Sequence, residues 1–80
     1  MKLIENAKNF LEDKKSKIIM FDNNIYILNY LDIKSFDSNK FIILIENKQL
    51  ILNGKNITIK RLSKDEILIN GNIQNIEFRW

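Results

Sequence analysis

The chain is 80 residues long, 45% hydrophobic and 29% charged, with a formal net charge of +3. That specifies one small globular domain over 1–80, with a thin core that hides about 60% of the unfolded surface. It contains no cysteine and no histidine, which excludes disulfides, thiolate chemistry, zinc-finger ligation and imidazole acid–base catalysis.

The first fifteen residues read as an amphipathic helix. Leu3, Ile4, Ala7, Phe10 and Leu11 recur with the 3.6-residue period of one helix face. Lys2, Glu5, Asn6, Lys8, Asn9 and Glu12 make a mixed-charge opposite face, unlike the Lys- and Arg-rich face of a membrane-surface helix. A helix this short is marginal in water, so it is expected to dock on the domain or on a partner. Glu5, Asn6 and Lys8 interrupt the apolar centre that a signal peptide needs. The longest apolar run, Phe41–Ile45, is far below the ~20 residues of a spanning helix. The expected location is cytoplasmic.

From Lys17 to Trp80 the pattern is β. Apolar runs recur at Ile18–Phe21, Ile25–Tyr30, Phe41–Ile45, Leu50–Leu52, Ile57–Leu62, Ile67–Ile69 and Ile73–Trp80, each bounded by turn residues. The fold class is therefore mainly β: about seven short antiparallel strands in sequential hairpins, forming a small sheet, sandwich or roll. Asp22-Asn23-Asn24, Asp37-Ser38-Asn39 and Asn47-Lys48 are expected turns. Asn53-Gly54 and Asn70-Gly71 are the strongest hairpin signals, because a two-residue type I′ turn needs φ > 0 at both central positions. Sixteen Ile, twelve Asn and eleven Lys stand against no valine. Folding does not demand that, since Val and Ile suit strands alike. Their A- and T-rich codons point to an AT-rich genome.

Some strands alternate and some do not. Ile57 and Ile59 against Thr58 and Lys60 follow the one-sided pattern, as do Ile76, Phe78 and Trp80 against Glu77 and Arg79. Ile18-Ile19-Met20-Phe21, Phe41-Ile42-Ile43-Leu44-Ile45 and Ile67-Leu68-Ile69 place apolar groups on both faces of a strand. One face enters the core and the other needs cover. Ile42, Leu44 and Leu68 are accordingly expected on an interaction surface, for a protein partner or a second copy of the chain.

Catalytic and cofactor chemistry find little support. Asp65 and Glu66 are adjacent and so point to opposite sides of a strand. Ser16, Ser35, Ser38, Ser63 and Thr58 have no histidine to act as base. Two glycines in all are too few for a phosphate-cradling loop. Ser63-Lys64-Asp65-Glu66 matches a capping box, but Asn70-Gly71 follows too soon for a helix, so it reads as a turn. No enzyme activity, metal, cofactor or small-molecule substrate is expected. Lys55, Lys60, Arg61 and Lys64, with Tyr26, Tyr30 and Trp80, offer basic and aromatic groups for nucleic acid. They lack the interleaved signature, so this is the weakest of the binding readings.

Three stretches, IYILNYLDI at 25–33, FIILIENKQLILNGKNITIKRL at 41–62 and EILINGNIQNIEF at 66–78, resemble the YabP/YqfC family of bacterial sporulation proteins, nearer its YqfC branch. Ile27, Asn29, Ile33, Leu50, Leu52, Gly54, Ile57, Ile59, Glu66, Gly71, Ile73, Ile76 and Phe78 fall in step with that family's pattern, and Asn53 and Asn70 precede its two glycines. Leu28 stands where Glu is usual, Asp32 where Gly is usual, and Lys48 near another usual Gly. The resemblance implies a non-enzymatic protein made in the mother cell during spore formation. The YqfC branch is typically encoded beside a membrane protein, which implies a membrane-attached partner.

Overall fold

Short Asx-rich turns set the strands. The computed structural model describes residues 15–80; the helix expected over 1–15 lies outside the described residues, apart from Lys15. Six strands follow: β1 (Lys17–Phe21), β2 (Asn24–Leu28), β3 (Asp32–Phe36), β4 (Lys40–Ile45), β5 (Lys48–Leu62) and β6 (Glu66–Arg79). Asp22 and Asn47 adopt φ of 52° and 66° in the β1–β2 and β4–β5 turns, a region that Asx residues tolerate better than other side chains. Between β3 and β4 the Asp37 Oδ1 accepts from the Asn39 and Lys40 amides at 2.7 and 2.8 Å, closing an Asx turn. Ser63–Asp65 link β5 to β6 as a turn, as expected.

All pairings are antiparallel, in one sheet of order β1-β2-β6-β5-β4-β3. Two sequence expectations are corrected here. The first concerns the Asn-Gly pairs, which are not hairpin turns. β5 runs unbroken through Asn53-Gly54, and β6 runs unbroken through Asn70-Gly71. Four expected short strands thus fuse into two long ones, so the seven expected strands become five and β3 makes the sixth. The second concerns the order of pairing: β2 pairs with β6, so the sheet is not a simple succession of hairpins. β3, with only Ile33 and Phe36 apolar among five residues, carried no strand signal and is an addition.

The long β5–β6 hairpin serves two half-sheets. Its β5 N-terminal half pairs with β4 and the β6 C-terminal half. Its β5 C-terminal half pairs with the β6 N-terminal half, which continues to β2 and β1. Between the halves the register slips at Asn53/Gly54 and at Lys55/Thr58, and Asn56 takes a φ of 56°. Slips of this kind are β-bulges, which bend a ladder. A flat sheet is ruled out by the connection from β2 to β3. Leu28 lies beside Glu66, and Asp32 is registered through Leu44 with Gln49. On an extended β5 those points are about 43 Å apart, whereas the three-residue link Asn29–Leu31 reaches only about 14 Å. The hairpin must fold back on itself.

The contacts agree. The Asn29 amide donates to the Asp65 carbonyl, and the Leu31 amide donates to the Leu44 carbonyl at 2.8 Å, so the link fastens both ends of the hairpin together. At the bend the Gly54 and Ile57 amides donate to Asn39 and Ser38 of the β3–β4 turn. The Gly71 amide donates to Asn23 of the β1–β2 turn. The inner faces of both halves supply one buried cluster: Ile25 and Ile27 of β2, Phe41, Ile43 and Ile45 of β4, Leu50, Leu52 and Ile57 of β5, Ile67 and Ile69 of β6.

The glycines earn their place at the bend through close approach. A Cβ on Gly54 would lie 2.2 Å from the Asn72 carbonyl oxygen, and one on Gly71 would lie 2.9 Å from the Ile57 Cα. In both cases the obstruction is backbone. Gly54→Ala is expected to cost at least about 3 kcal/mol and Gly71→Ala about 1–3 kcal/mol. Denaturant titration checks the order; a Gly54→Ala midpoint equal to that of the parent contradicts this account of the bend.

Candidate interaction surface

The residues singled out from sequence divide into fold determinants and surface groups. Ile27 lies in the core and Ile33 packs against it. Asn29, at φ 59°, anchors the clasp: its carbonyl accepts from the Ser16 hydroxyl at 2.8 Å, and its Nδ2 donates to the Lys15 carbonyl at 3.0 Å. The Ser16 hydroxyl also accepts from the Glu46 amide at 3.1 Å, which ties the start of β1 to the β4–β5 turn. Asn53, Gly54, Asn70 and Gly71 build the bend, where Asn70 Nδ2 reaches Asn24 Oδ1 at 3.1 Å and the Asn23 carbonyl at 3.3 Å. These positions hold the architecture and converge on no pocket of their own.

Ile42, Leu44 and Leu68 are half-buried on outer faces, but the fold does not bring them together. Ile42 and Leu44 belong to the half-sheet of β3 and β4, and Leu68 belongs to the half-sheet of β1 and β2. Around Leu68 the ladder builds an apolar row: Ile19 pairs with Tyr26, and Tyr26 pairs with Leu68. Phe21 and Leu28 flank the row on the same face. Ile19 is 41% exposed and Phe21 47% exposed, so this outer face is the more open of the two. The non-alternating run Ile18–Phe21 carries that signal in the sequence, whereas Tyr26 stands out there only as a stacking group for nucleic acid.

Charge is placed sparingly on this face. Glu66 accepts a short hydrogen bond from the Tyr26 hydroxyl. That bond holds the Tyr26 pKa above the ordinary tyrosine range, with burial and the nearby Glu66 charge adding to the effect and Arg61 opposing it. The basic and aromatic groups considered for nucleic acid are scattered. The Tyr30 hydroxyl bonds the Ser63 carbonyl at 2.7 Å, and Trp80 sits by Lys48 beyond the end of β6. Tyr26 and Tyr30 thus commit their hydroxyls to different partners, and the three rings form no common stacking platform. Among the described residues no group of three His, Cys, Asp or Glu side chains could hold a metal ion, and no helix there is long and apolar enough to cross a membrane.

A raised tyrosine pKa in the fold means that the Tyr26–Glu66 bond contributes fully at neutral pH and is lost as pH rises through and above the tyrosine range. Tyr26→Phe is expected to remove no more than about 1 kcal/mol at neutral pH. It should also flatten the alkaline fall in stability relative to the parent. Melts of both proteins across neutral and alkaline buffers test this; identical alkaline profiles contradict it.

The sequence model of the YabP family matches residues 12–79. A protein of Bacillus subtilis (strain 168) described as "Uncharacterized protein YqfC" is 33% identical over 55 residues, which cover 69% of this chain and 59% of that protein. The match therefore spans less than two thirds of that relative's length. No solved structure matches the chain. Gly54, Glu66 and Gly71, placed here at the bend and beside Tyr26, lie within the matched span, and the chain belongs to the YabP family.

Proposed function

We propose that this protein is a non-enzymatic interaction module of spore formation, acting in the mother cell and docking on a membrane-attached protein through the outer face of β1, β2 and β6. The observation that carries this reading is the Ile19–Tyr26–Leu68 row. It is an apolar band on a face the domain's own core does not use, rimmed by Lys17, Glu66 and Arg61. Contiguous exposed apolar surface on a small domain marks a contact site more often than a solvated one. Membership of the YabP family and the resemblance to its YqfC branch, which is typically encoded beside a membrane protein, support this reading.

A second reading, self-assembly, rests on a different feature. Among the described residues β1 and β3 are edge strands, each paired on one side only, and unpaired edges are templates for strand addition. Light scattering over a concentration series separates the two: a monomeric mass at every concentration excludes assembly through these edges.

The docking proposal is tested in cells. Deletion of the gene is expected to lower the yield of heat-resistant spores, and the parent gene is expected to restore it. Ile19→Glu combined with Leu68→Lys should accumulate, keep its β-sheet circular dichroism, fail to restore spores and lose the membrane-attached partner that the parent protein co-purifies. Full restoration by that double variant would sink the proposal.

A further inference from the structure

Both glycines of the chain follow an asparagine, at Asn53-Gly54 and Asn70-Gly71, and both pairs sit at the bend. An Asn-Gly link loses side-chain ammonia readily, because glycine leaves its amide nitrogen unshielded and the chain free to turn. The glycine nitrogen attacks the asparagine Cγ. An N–Cγ bond forms, the Cγ–Nδ2 bond breaks, and Nδ2 departs as ammonia with the proton of the glycine N–H. Water then opens the succinimide ring at either carbonyl, leaving aspartate or isoaspartate. In isoaspartate the main chain runs through an additional methylene.

The fold opposes each step of that reaction. Both pairs lie inside unbroken strands, where an extended asparagine turns the following nitrogen away from its own Cγ. Both attacking nitrogens are already donors: the Gly54 amide to the Asn39 carbonyl and the Gly71 amide to the Asn23 carbonyl, each at 3.0 Å. At Asn70 the leaving group is held as well, since Nδ2 donates to Asn24 Oδ1 at 3.1 Å and to the Asn23 carbonyl at 3.3 Å. Ring closure therefore requires the two hairpin tips to leave the crease. Conversion at Asn70 would then bar their return. A carboxylate oxygen in place of Nδ2 would meet the Asn23 carbonyl with no hydrogen to share. Isoaspartate would lengthen the backbone between Ile69, registered with Ile25, and Gly71, where a Cβ would already fall 2.9 Å from the Ile57 Cα. We infer that Asn53 and Asn70 are sites of spontaneous deamidation that the crease keeps shut, and that conversion of Asn70 locks an opened domain out of its fold. The substrate is the chain itself with water, and no partner is required.

Full-length protein is held in mildly alkaline buffer, with and without urea above its unfolding midpoint. Acid formation at Asn53 and Asn70 is followed by mass spectrometry of proteolytic peptides. Without urea both sites are expected to convert at least about a hundredfold more slowly than with it. Asn24→Ala removes an acceptor of Asn70 and should raise the native rate there about fivefold, with the rate in urea unchanged. The fraction converted at Asn70 alone, separated by its added negative charge, should not regain the parent's melting curve once urea is removed. Unconverted protein taken through the same steps should regain it. Equal rates with and without urea at either site, a native Asn70 rate indifferent to Asn24→Ala, or recovery of the parent's melt by the converted fraction would each overturn the inference.

Discussion

Three residues decide the shape of this domain. Asn29–Leu31 carry the chain from β2, on one half-sheet, to β3, at the far edge of the other. No flat sheet of that order allows so short a crossing, because the strand ends it joins would lie several strand spacings and most of β5 apart. The β5–β6 hairpin must therefore fold over, and the inner faces of its two halves must share a single core. Once that is required, the remaining features follow. A ladder bends where a bulge can be accommodated, and two of the β5–β6 bulges fall where the chain's two glycines, Gly54 and Gly71, let the two backbones touch.

The Asx residues take on a physical role in the same frame. Every non-glycine residue with positive φ among those described is Asn or Asp: Asp22, Asn29, Asn47 and Asn56. Two lie in turns, one in the clasp and one in the bend. The backbone explains where asparagine settles. Carbonyls of the β1–β2 and β3–β4 turns accept from amides of the bend, so the tips of two short hairpins stabilise the crease of the long one.

Much of this was legible from sequence and some was not. The turns at Asp22, Asp37 and Asn47 announce themselves, since Asx chemistry there is local. The buried alternation of Ile25 and Ile27, or of Ile67 and Ile69, follows from a period of two. Asn53-Gly54 and Asn70-Gly71 misled because a glycine needed for a turn and a glycine needed for close approach look alike in a sequence window. The difference lies in a partner strand more than a dozen residues away. β3 escaped notice because Lys34 and Ser35 dilute its apolar content, and its pairing with β4 is what makes it a strand. The surplus of apolar groups on outer faces was visible in the run Ile18–Phe21. Its assembly into a row with Tyr26 and Leu68 depended on the β2–β6 pairing, which joins segments some forty residues apart.

The positions that the sequence resemblance singles out are thereby divided. Gly54, Asn70 and Gly71 make the crease, Asn29 makes the clasp, and Glu66 orders Tyr26 on an open face. A scaffold so fixed leaves the outer face of β1, β2 and β6 to serve contacts, which is the work proposed for it. The fold-over itself is the claim on which these assignments stand. The absence of cysteine allows spin labels to be placed without background by Gln49→Cys and Asp65→Cys. Their separation by pulsed electron resonance should be about 20 Å, set by the reach of the clasp. A separation of about 40 Å, the length of an extended β5, would contradict it.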